Sequence, residues 1–190
     1  MLKKSLVVLG LTLSLASGAF AKTIDDVEYA DHLKMGKESL VLNGVGLRKI
    51  LFVKVYAAGL YLPKVASDAQ SVQDQVGSKR VRLVLRRDVD ASDFVEALND
   101  GLKDNSTEIE RTAIKKDIES LVVVMEKIGD VHENDSVDFD YSAARGVSVL
   151  VNGRLIGERI GGKALYDAVL RIWLGEKAMD SGLKKALLAQ

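Results

Sequence analysis

The stretch Gly44-Val45-Gly46-Leu47-Arg48, followed by the apolar segment Val53–Leu62, is the most informative part of this chain for its fold. Two runs rich in Val, Leu and Tyr, residues 39–42 and 47–62, are bounded by the glycines and by Pro63. This predicts two β-strands joined by a tight turn at the glycines. A guanidinium stays charged, so an arginine that opens a buried strand needs an anionic partner or a wet cavity. Arg48 therefore indicates ligand capture, with a structural ion pair to a nearby carboxylate as the alternative.

Tyr56 lies on the same predicted strand as Arg48 and could be a second donor to an anionic ligand. The two residues share parity, so their side chains are expected on one face. On a straight strand, however, eight residues at about 3.3 Å each would separate them by about 26 Å. Contact of both with one head group would then require a bend in the strand.

Further strands are predicted where apolar and charged residues alternate. Within residues 80–86 apolar side chains alternate with mostly basic ones, and within residues 137–141 they alternate with acidic ones. Residues 147–151 and 155–160 flank Asn152-Gly153, the dipeptide most typical of a two-residue hairpin turn. The charged side chains are expected to be solvated. The acidic ones form a turn and one strand face: Asp130, Glu133, Asp135, Asp138 and Asp140. The basic ones form a stripe: Lys79, Arg80, Arg82, Arg86 and Arg87.

Helical spacing occurs between and after these strands. A helix capped by Asp90 or Ser92 is predicted through Leu102, and a second helix, after a capping box of Thr107 and Glu110, is predicted through Met125. Residues 164–173 and 183–188 predict two more helices, the first of which ends at Gly175. This order of elements indicates an α+β domain, with a largely antiparallel sheet covered by helices on one side.

The amino terminus has the features of a secretory signal peptide. Lys3 and Lys4 precede an apolar run at residues 6–16, and Ala19-Phe20-Ala21 supplies the small-x-small pattern of a cleavage site. The run is too short for a bilayer span, although a retained anchor is the alternative. We therefore predict removal of residues 1–21, a single domain over residues 22–190 and no stable membrane anchor after cleavage. Because cysteine is absent, the periplasm of a Gram-negative bacterium is the expected location.

Composition and the remaining polar residues exclude several functions. The 27 basic and 27 acidic side chains balance, so the chain carries no electrostatic footprint for nucleic acid. His32 and His132 have no partners at ligand spacing, and the acidic residues lack the pattern of a calcium loop. No metal site and no cofactor are predicted, and protein partners remain unknown. Trp173, at helical spacing, is expected in the core.

Over residues 40–188 the chain resembles the bacterial chalcone isomerase-like family in several motifs and in the order in which they occur. They are Gly44-Val45-Gly46-Leu47-Arg48, the Val-Lys-Val-Tyr-Ala-Ala-Gly-Leu-Tyr strand from Val53, Arg86-Arg87-Asp88-Val89, Asn152-Gly153 with Gly157, Ile172-Trp173-Leu174-Gly175 and Leu183-Lys184-Lys185-Ala186-Leu187-Leu188. The resemblance implies an open-faced sandwich, in which a cleft between a large antiparallel sheet and a helical layer holds a flat or elongated apolar molecule.

This family includes plant enzymes that cyclise chalcones and similar proteins that bind fatty acids. In both kinds an arginine after the glycines meets the anionic oxygen of the ligand, and Arg48 matches it. The polar residues of the enzymes fall at Tyr56, Phe94, Gly101 and Ile172 in this chain, and the last three offer no side-chain hydrogen bond. Because such donors stabilise the developing enolate, the resemblance favours binding over catalysis.

Three hypotheses follow from the sequence. The first is an exported, non-catalytic binder of a fatty acid or similar apolar carboxylate, with Arg48, Tyr56, Phe94 and Ile172 in its ligand site. The second is an intramolecular lyase or isomerase acting on a chalcone-like or other enone substrate, in which Arg48 stabilises the enolate. The third is an envelope assembly factor that uses the fold as a scaffold, since a fold alone does not determine function.

Overall fold

The structure is a computed structural model that describes residues 21–190. Residues 1–20, and with them nearly all of the predicted signal peptide, lie outside the described residues. Among the residues described, no helix is both long enough and apolar enough to span a bilayer.

The centre of the fold is a seven-stranded antiparallel sheet whose strands follow one another in chain order. Its strands are β3 (His32–Met35), β4 (Glu38–Ile50), β5 (Val53–Leu62), β6 (Lys79–Leu85), β7 (Ser136–Ser142), β8 (Gly146–Val151) and β9 (Arg154–Ile160). Each is joined to its neighbour in the sheet by a hairpin or by a connection that carries helices. The two-residue turn at Asn152-Gly153 is confirmed, and both of its residues have positive φ, at 51° and 76°.

Six helices lie among the described residues, and most of them cover one face of this sheet. They are α1 (Ala69–Asp74), α2 (Ala91–Asn105), α3 (Glu108–Ala113), α4 (Lys115–Ile128), α5 (Lys163–Leu174) and α6 (Ser181–Leu187). The main core forms between this layer and the sheet, with α5 almost wholly buried in its middle. The α+β prediction, with an antiparallel sheet and helices on one side, is confirmed.

The opposite face of the sheet has a cover that the sequence did not predict. β1 (Ala21–Ile24) and β2 (Val27–Ala30) form a separate hairpin that buries Tyr29 against this face. The Tyr29 ring occupies the space above Gly59, where a Cβ would come within 2.5 Å of the ring. A small second core therefore forms around Tyr29, Tyr61 and Leu40.

The predicted turn at Gly44 and Gly46 is wrong. β4 runs through both glycines, with an irregularity in its register between Leu42 and Gly44, and the chain turns instead at Leu51-Phe52. The glycines serve a close approach of α6, because a Cβ on Gly44 would lie 2.2 Å from the carbonyl oxygen of Ala186. A side chain at that position would push α6 off the strand, so glycine is needed there for packing rather than for turning.

The capping box is confirmed, but the helix predicted after it is two helices. The side chain of Thr107 accepts a hydrogen bond from the backbone of Glu110, and the carboxylate of Glu110 accepts one from the backbone of Thr107. This box begins α3, and the chain departs from helical geometry at Ile114 before α4 begins. Asp90, rather than Ser92, occupies the N-cap position of α2.

The prediction of a solvated face for Asp138 and Asp140 is also wrong. Arg82 and Arg80 lie directly opposite them across the β6–β7 ladder, and each arginine binds its aspartate through two hydrogen bonds, with 2.5–2.8 Å between donor and acceptor atoms. Asp138 is 1 % exposed. Alternation showed which face carries the charges, but it could not show that the charges neutralise one another.

Lys79, the first residue of the predicted basic stripe, is fully buried on the helix side of the sheet. Its ammonium donates a hydrogen bond of 2.7 Å to the carbonyl oxygen of Gln75 and lies 5.6 Å from the centre of the Tyr141 ring. Burial lowers the pKa of Lys79 from its usual 10.5. The prediction of a solvated stripe is therefore wrong for this residue.

Candidate functional site

A cleft of about 330 Å³ opens between the sheet and the helical layer, beside the β4–β5 hairpin. Its inner wall is apolar and buried, with side chains from β5, β6, β7, α2, α4 and α5 and from the connection between β6 and α2. The buried members are Val55, Tyr56, Leu83, Leu85, Val89, Leu98, Met125, Phe139, Ile172 and Trp173. A space of this kind suits an apolar molecule with one polar end, because the inner wall offers few groups that could satisfy further polar atoms.

All four predicted ligand residues line this cleft. Arg48 and Tyr56 come from the two strands of the hairpin, Phe94 from α2 and Ile172 from α5. Phe94 and Ile172 thus face the sheet from two different helices. Gly101 lies behind them, because a Cβ on it would come within 2.8 Å of the Ile172 side chain. The close packing of α2 on α5 at this point requires glycine.

Arg48 and Tyr56 are direct cross-strand partners in the β4–β5 ladder. The guanidinium carbon of Arg48 lies 5.7 Å from the centre of the Tyr56 ring, within the range of a cation–π contact. The predicted separation of about 26 Å along one straight strand is therefore wrong, because the chain reverses between the two residues. The reversal brings both side chains to the same end of the cleft.

The hydroxyl of Tyr56 already has two partners. It accepts a hydrogen bond of 2.9 Å from the indole nitrogen of Trp173 and donates one of 3.1 Å to the sulfur of Met179. Burial raises the pKa of Tyr56, and the nearby positive charge of Arg48 opposes this rise. The phenol is therefore neutral at ordinary pH, and its one proton points at a thioether, which is a weak acceptor.

Arg48 itself is half-buried and has no carboxylate within salt-bridge distance among residues 21–190. The same described set provides no side-chain hydrogen bond of ordinary geometry to its guanidinium. The alternative of a structural ion pair is thus not realised within this part of the chain. A guanidinium with open hydrogen-bonding positions beside an apolar space is a natural contact for an anionic oxygen.

The rim of the cleft carries charges of both signs on opposite sides. Arg48 and the exposed Arg87 lie on the strand side, while Asp93, Glu96 and Asp100 lie on α2 and are exposed. The cleft is therefore polarised across its mouth. An anionic group entering it is attracted to the strand side and repelled from the helix side.

Sequence reasoning missed two features of this site. Trp173 was expected only in the core, and it does pack at 5.6 Å between ring centres against Phe139, but its indole also holds the Tyr56 hydroxyl at the cleft wall. Met179 comes from the connection between α5 and α6, where no local pattern marks it. Only the docking of that connection beside β5 brings its sulfur to Tyr56.

Among residues 21–190, no three His, Cys, Asp or Glu side chains are placed so that they could hold a metal ion together. His132 is exposed; its Nδ1 lies 3.6 Å from the Asp88 carboxylate, and its backbone N–H donates a hydrogen bond of 2.9 Å to the Asp135 carboxylate. Neither His132 nor Asp88 lines the cleft.

Comparisons with known proteins agree with this architecture. The fold is similar to that of a crystal structure of a fatty-acid binding protein from Arabidopsis thaliana, with a TM-score of 0.63 and 17 % sequence identity, over 89 % of this chain and 96 % of that one. A search of curated proteins finds no match. The profile of a family described as chalcone isomerase-like matches residues 21–189. The chain therefore belongs to the chalcone isomerase-like family.

Proposed function

We propose that this protein is an exported, non-catalytic binder of a fatty acid or a similar apolar carboxylate, with Arg48 as the contact for the carboxylate. The observation that carries the proposal is the guanidinium of Arg48, which faces a cleft with a buried apolar wall and has no carboxylate partner among residues 21–190. A ligand carboxylate would fill the open positions of the guanidinium with two parallel hydrogen bonds. The likeness to a plant fatty-acid binding protein supports the same ligand class.

The apolar wall supplies the rest of the affinity. Each methylene that leaves water for such a surface contributes about 0.8 kcal/mol. The cleft volume of 330 Å³ lies near the lower end of the range for small-molecule sites, about 300–1,000 Å³. One acyl chain of short or medium length is therefore a better fit than a phospholipid with two chains.

Tyr56 would provide a second contact to the carboxylate. Its hydroxyl proton now points at the Met179 sulfur, and a carboxylate oxygen is a much stronger acceptor than a thioether. The hydroxyl can rotate toward an oxygen held by Arg48 while it still accepts the bond from Trp173. Phe94 and Ile172 would contact the acyl chain from the helix side.

Export and periplasmic location belong to the same proposal and rest on the amino-terminal pattern. Removal of residues 1–21 would leave a chain that begins at Lys22, the second residue of β1, which pairs with Tyr29 of β2. Intact-mass measurement of the protein recovered from a periplasmic extract tests this part. A mature mass that starts at Lys22 supports it, and an unprocessed chain in the cytoplasmic fraction contradicts it.

Native mass spectrometry of protein purified without detergent tests the ligand. We expect acyl species on the wild-type protein and their loss from Arg48→Ala. A second variant, Ala97→Trp, fills the cleft from α2 and leaves Arg48 in place, and it should also lose them. If the wild type is empty and binds no fluorescent fatty acid, or if both variants bind as well as the wild type does, the proposal is wrong.

A further inference from the structure

The β4–β5 hairpin ends in a group of exposed apolar side chains, which we call the hairpin tip: Ile50, Leu51, Phe52 and Val53. Phe52 is 96 % exposed, Leu51 is 88 % exposed, and Ile50 and Val53 are about half exposed. Among the described residues these are four of nine large exposed hydrophobic side chains, and they are consecutive. The other five are scattered along the chain, as is usual on a protein surface.

The backbone at the tip adds an independent observation. Ile50 pairs with Val53, so Leu51 and Phe52 form a two-residue turn, and Leu51 has a φ of +56°. Glycine or asparagine is the usual residue in that conformation, and a leucine there is strained by its Cβ. A leucine thus occupies a position where glycine would be more stable, and it does so with its side chain in solvent. Folding does not explain this choice.

Basic side chains border the tip. Lys49 and Lys54 lie directly opposite each other across the hairpin, which is an unfavourable arrangement for like charges. Lys54 forms an ion pair with Asp25 of the β1–β2 turn, and the Lys54 side chain remains 50 % exposed. Lys49 has no ion-pair partner among residues 21–190. An anionic surface that met the tip would relieve the repulsion between the two lysines.

We propose that the hairpin tip inserts into the interfacial region of a phospholipid bilayer that contains anionic lipids, with Lys49 and Lys54 at the level of the head groups. A narrow, convex tip of four residues is much smaller than the roughly 800 Å² per partner of a stable protein interface. Apolar side chains beneath a pair of lysines are, in contrast, the usual composition of an interfacial anchor. The contact would be peripheral and reversible.

The hairpin tip adjoins the mouth of the cleft, which connects the proposed membrane contact to ligand binding. Ile50 belongs to both the tip and the cleft wall, and Arg48 precedes it by two residues in β4. Insertion of the tip would therefore set the strand side of the cleft mouth against the lipid surface and keep the acidic α2 side away from it. Transfer of an acyl ligand between membrane and cleft rests on the proposed function, whereas the membrane contact itself does not.

The test uses the double variant Leu51→Gly/Phe52→Ser. It replaces the tip by a dipeptide that favours a tight hairpin turn, so the variant should unfold at the same or a higher temperature than the wild type. Ile109→Ser is the matched control, because Ile109 is 84 % exposed on α3, away from the hairpin. Each full chain is expressed in the same way, and intact mass verifies that all compared proteins have the same amino terminus.

Binding is measured by flotation with vesicles of phosphatidylcholine and about one third phosphatidylglycerol, and with vesicles of phosphatidylcholine alone. We expect the wild type and Ile109→Ser to bind the anionic vesicles, with binding reduced by added salt. The double variant should bind at least about tenfold more weakly, since two large apolar side chains no longer leave water. Its affinity for a fluorescent fatty acid in solution should stay unchanged, so failure of this proposal is separable from failure of the proposed function.

Three results would overturn the membrane proposal. Equal flotation of the wild type and the double variant would place the contact elsewhere. Absence of binding to anionic vesicles by both proteins would exclude the contact. Dimers formed by the wild type alone in the absence of vesicles, together with no flotation, would mean that the tip pairs with a second copy of this chain.

Discussion

Arg48 and Tyr56 face each other across the β4–β5 ladder, with the guanidinium carbon of Arg48 5.7 Å from the centre of the Tyr56 ring. This pair sets the chemistry at one end of the cleft. The aromatic ring helps hold the guanidinium over the opening. No carboxylate among residues 21–190 lies within salt-bridge distance of the guanidinium, so its charge remains available to an anionic ligand.

Substitution of Arg48 should separate the role of its charge from that of its shape. Arg48→Met is expected to weaken fatty-acid binding by about tenfold to a hundredfold, because hydrogen bonds to charged groups contribute about 1.5–3 kcal/mol. Arg48→Lys should recover only part of this loss, since an ammonium cannot form the bidentate pair. Fluorescence titration measures these affinities.

Arg87→Met is the control for this series, because Arg87 also lines the cleft but is exposed at the rim. It should weaken binding by less than about fivefold. The fatty alcohol of the same chain length should bind equally to the wild type and to Arg48→Met. An equal loss for acid and alcohol would mean that Arg48 supports the shape of the cleft and does not contact the carboxylate.

Tyr56→Phe should destabilise the fold, because it leaves the indole N–H of Trp173 buried without its acceptor. A buried polar group left without a partner costs about 1–3 kcal/mol in the free energy of unfolding. Urea denaturation measures this loss. In the double variant Tyr56→Phe/Trp173→Phe the cost should fall below the sum of the two single costs, and strict additivity would show that the two groups do not interact.

Gly44→Ala tests the reason for the glycine in β4. The added Cβ would lie 2.2 Å from the carbonyl oxygen of Ala186, so α6 must move away from the strand. We expect a loss of about 1–3 kcal/mol in the free energy of unfolding, typical of overpacking. Gly162→Ala is the control, since a Cβ there meets nothing within 4 Å, and it should cost less than about 1 kcal/mol. If the two substitutions have the same effect, α6 does not constrain Gly44.

Lys79 makes stability depend on alkaline pH. Its folded-state pKa is depressed by burial below 10.5, so between the two values the unfolded chain binds more protons than the folded one. The contribution of Lys79 to the free energy of unfolding therefore rises with pH across this window. Urea denaturation from neutral pH upward should show the wild type gaining stability relative to Lys79→Met. A difference between the two proteins that stays constant with pH would mean that Lys79 has a normal pKa.

Chalcone cyclisation separates the binding proposal from the enzymatic alternative. The open positions of the Arg48 guanidinium could also stabilise an enolate, but Phe94 and Ile172 supply no hydrogen bond to it, and the Tyr56 hydroxyl is already bonded. We expect the absorbance of naringenin chalcone to decay equally fast with wild type and with Arg48→Ala. Faster decay with the wild type would support the intramolecular lyase.

Much of the secondary structure was predictable because it depends on local signals. The Asn152-Gly153 turn, the capping box at Thr107 and the apolar spacing of α5 each act within a few residues of the chain. The cover of the second sheet face was not predictable in this way. Short strands such as β1 and β2 have too little periodicity to be recognised before they pack.

The sequence by itself determined the α+β class and the strands and helices with a clear period, such as β6 to β9, α2 and α5, because a hydrophobic period is a property of the linear chain. The expectation that Arg48, Tyr56, Phe94 and Ile172 share one site came from the resemblance to a family. Only the tertiary structure decided that the glycines receive α6 and that the chain turns at Leu51. It also decided that Arg48 and Tyr56 are neighbours and that Asp138 and Asp140 are neutralised by arginines. These features depend on contacts between segments far apart in the chain. The free energy of such contacts exceeds local conformational preferences, and the contacts produce no pattern in the local sequence.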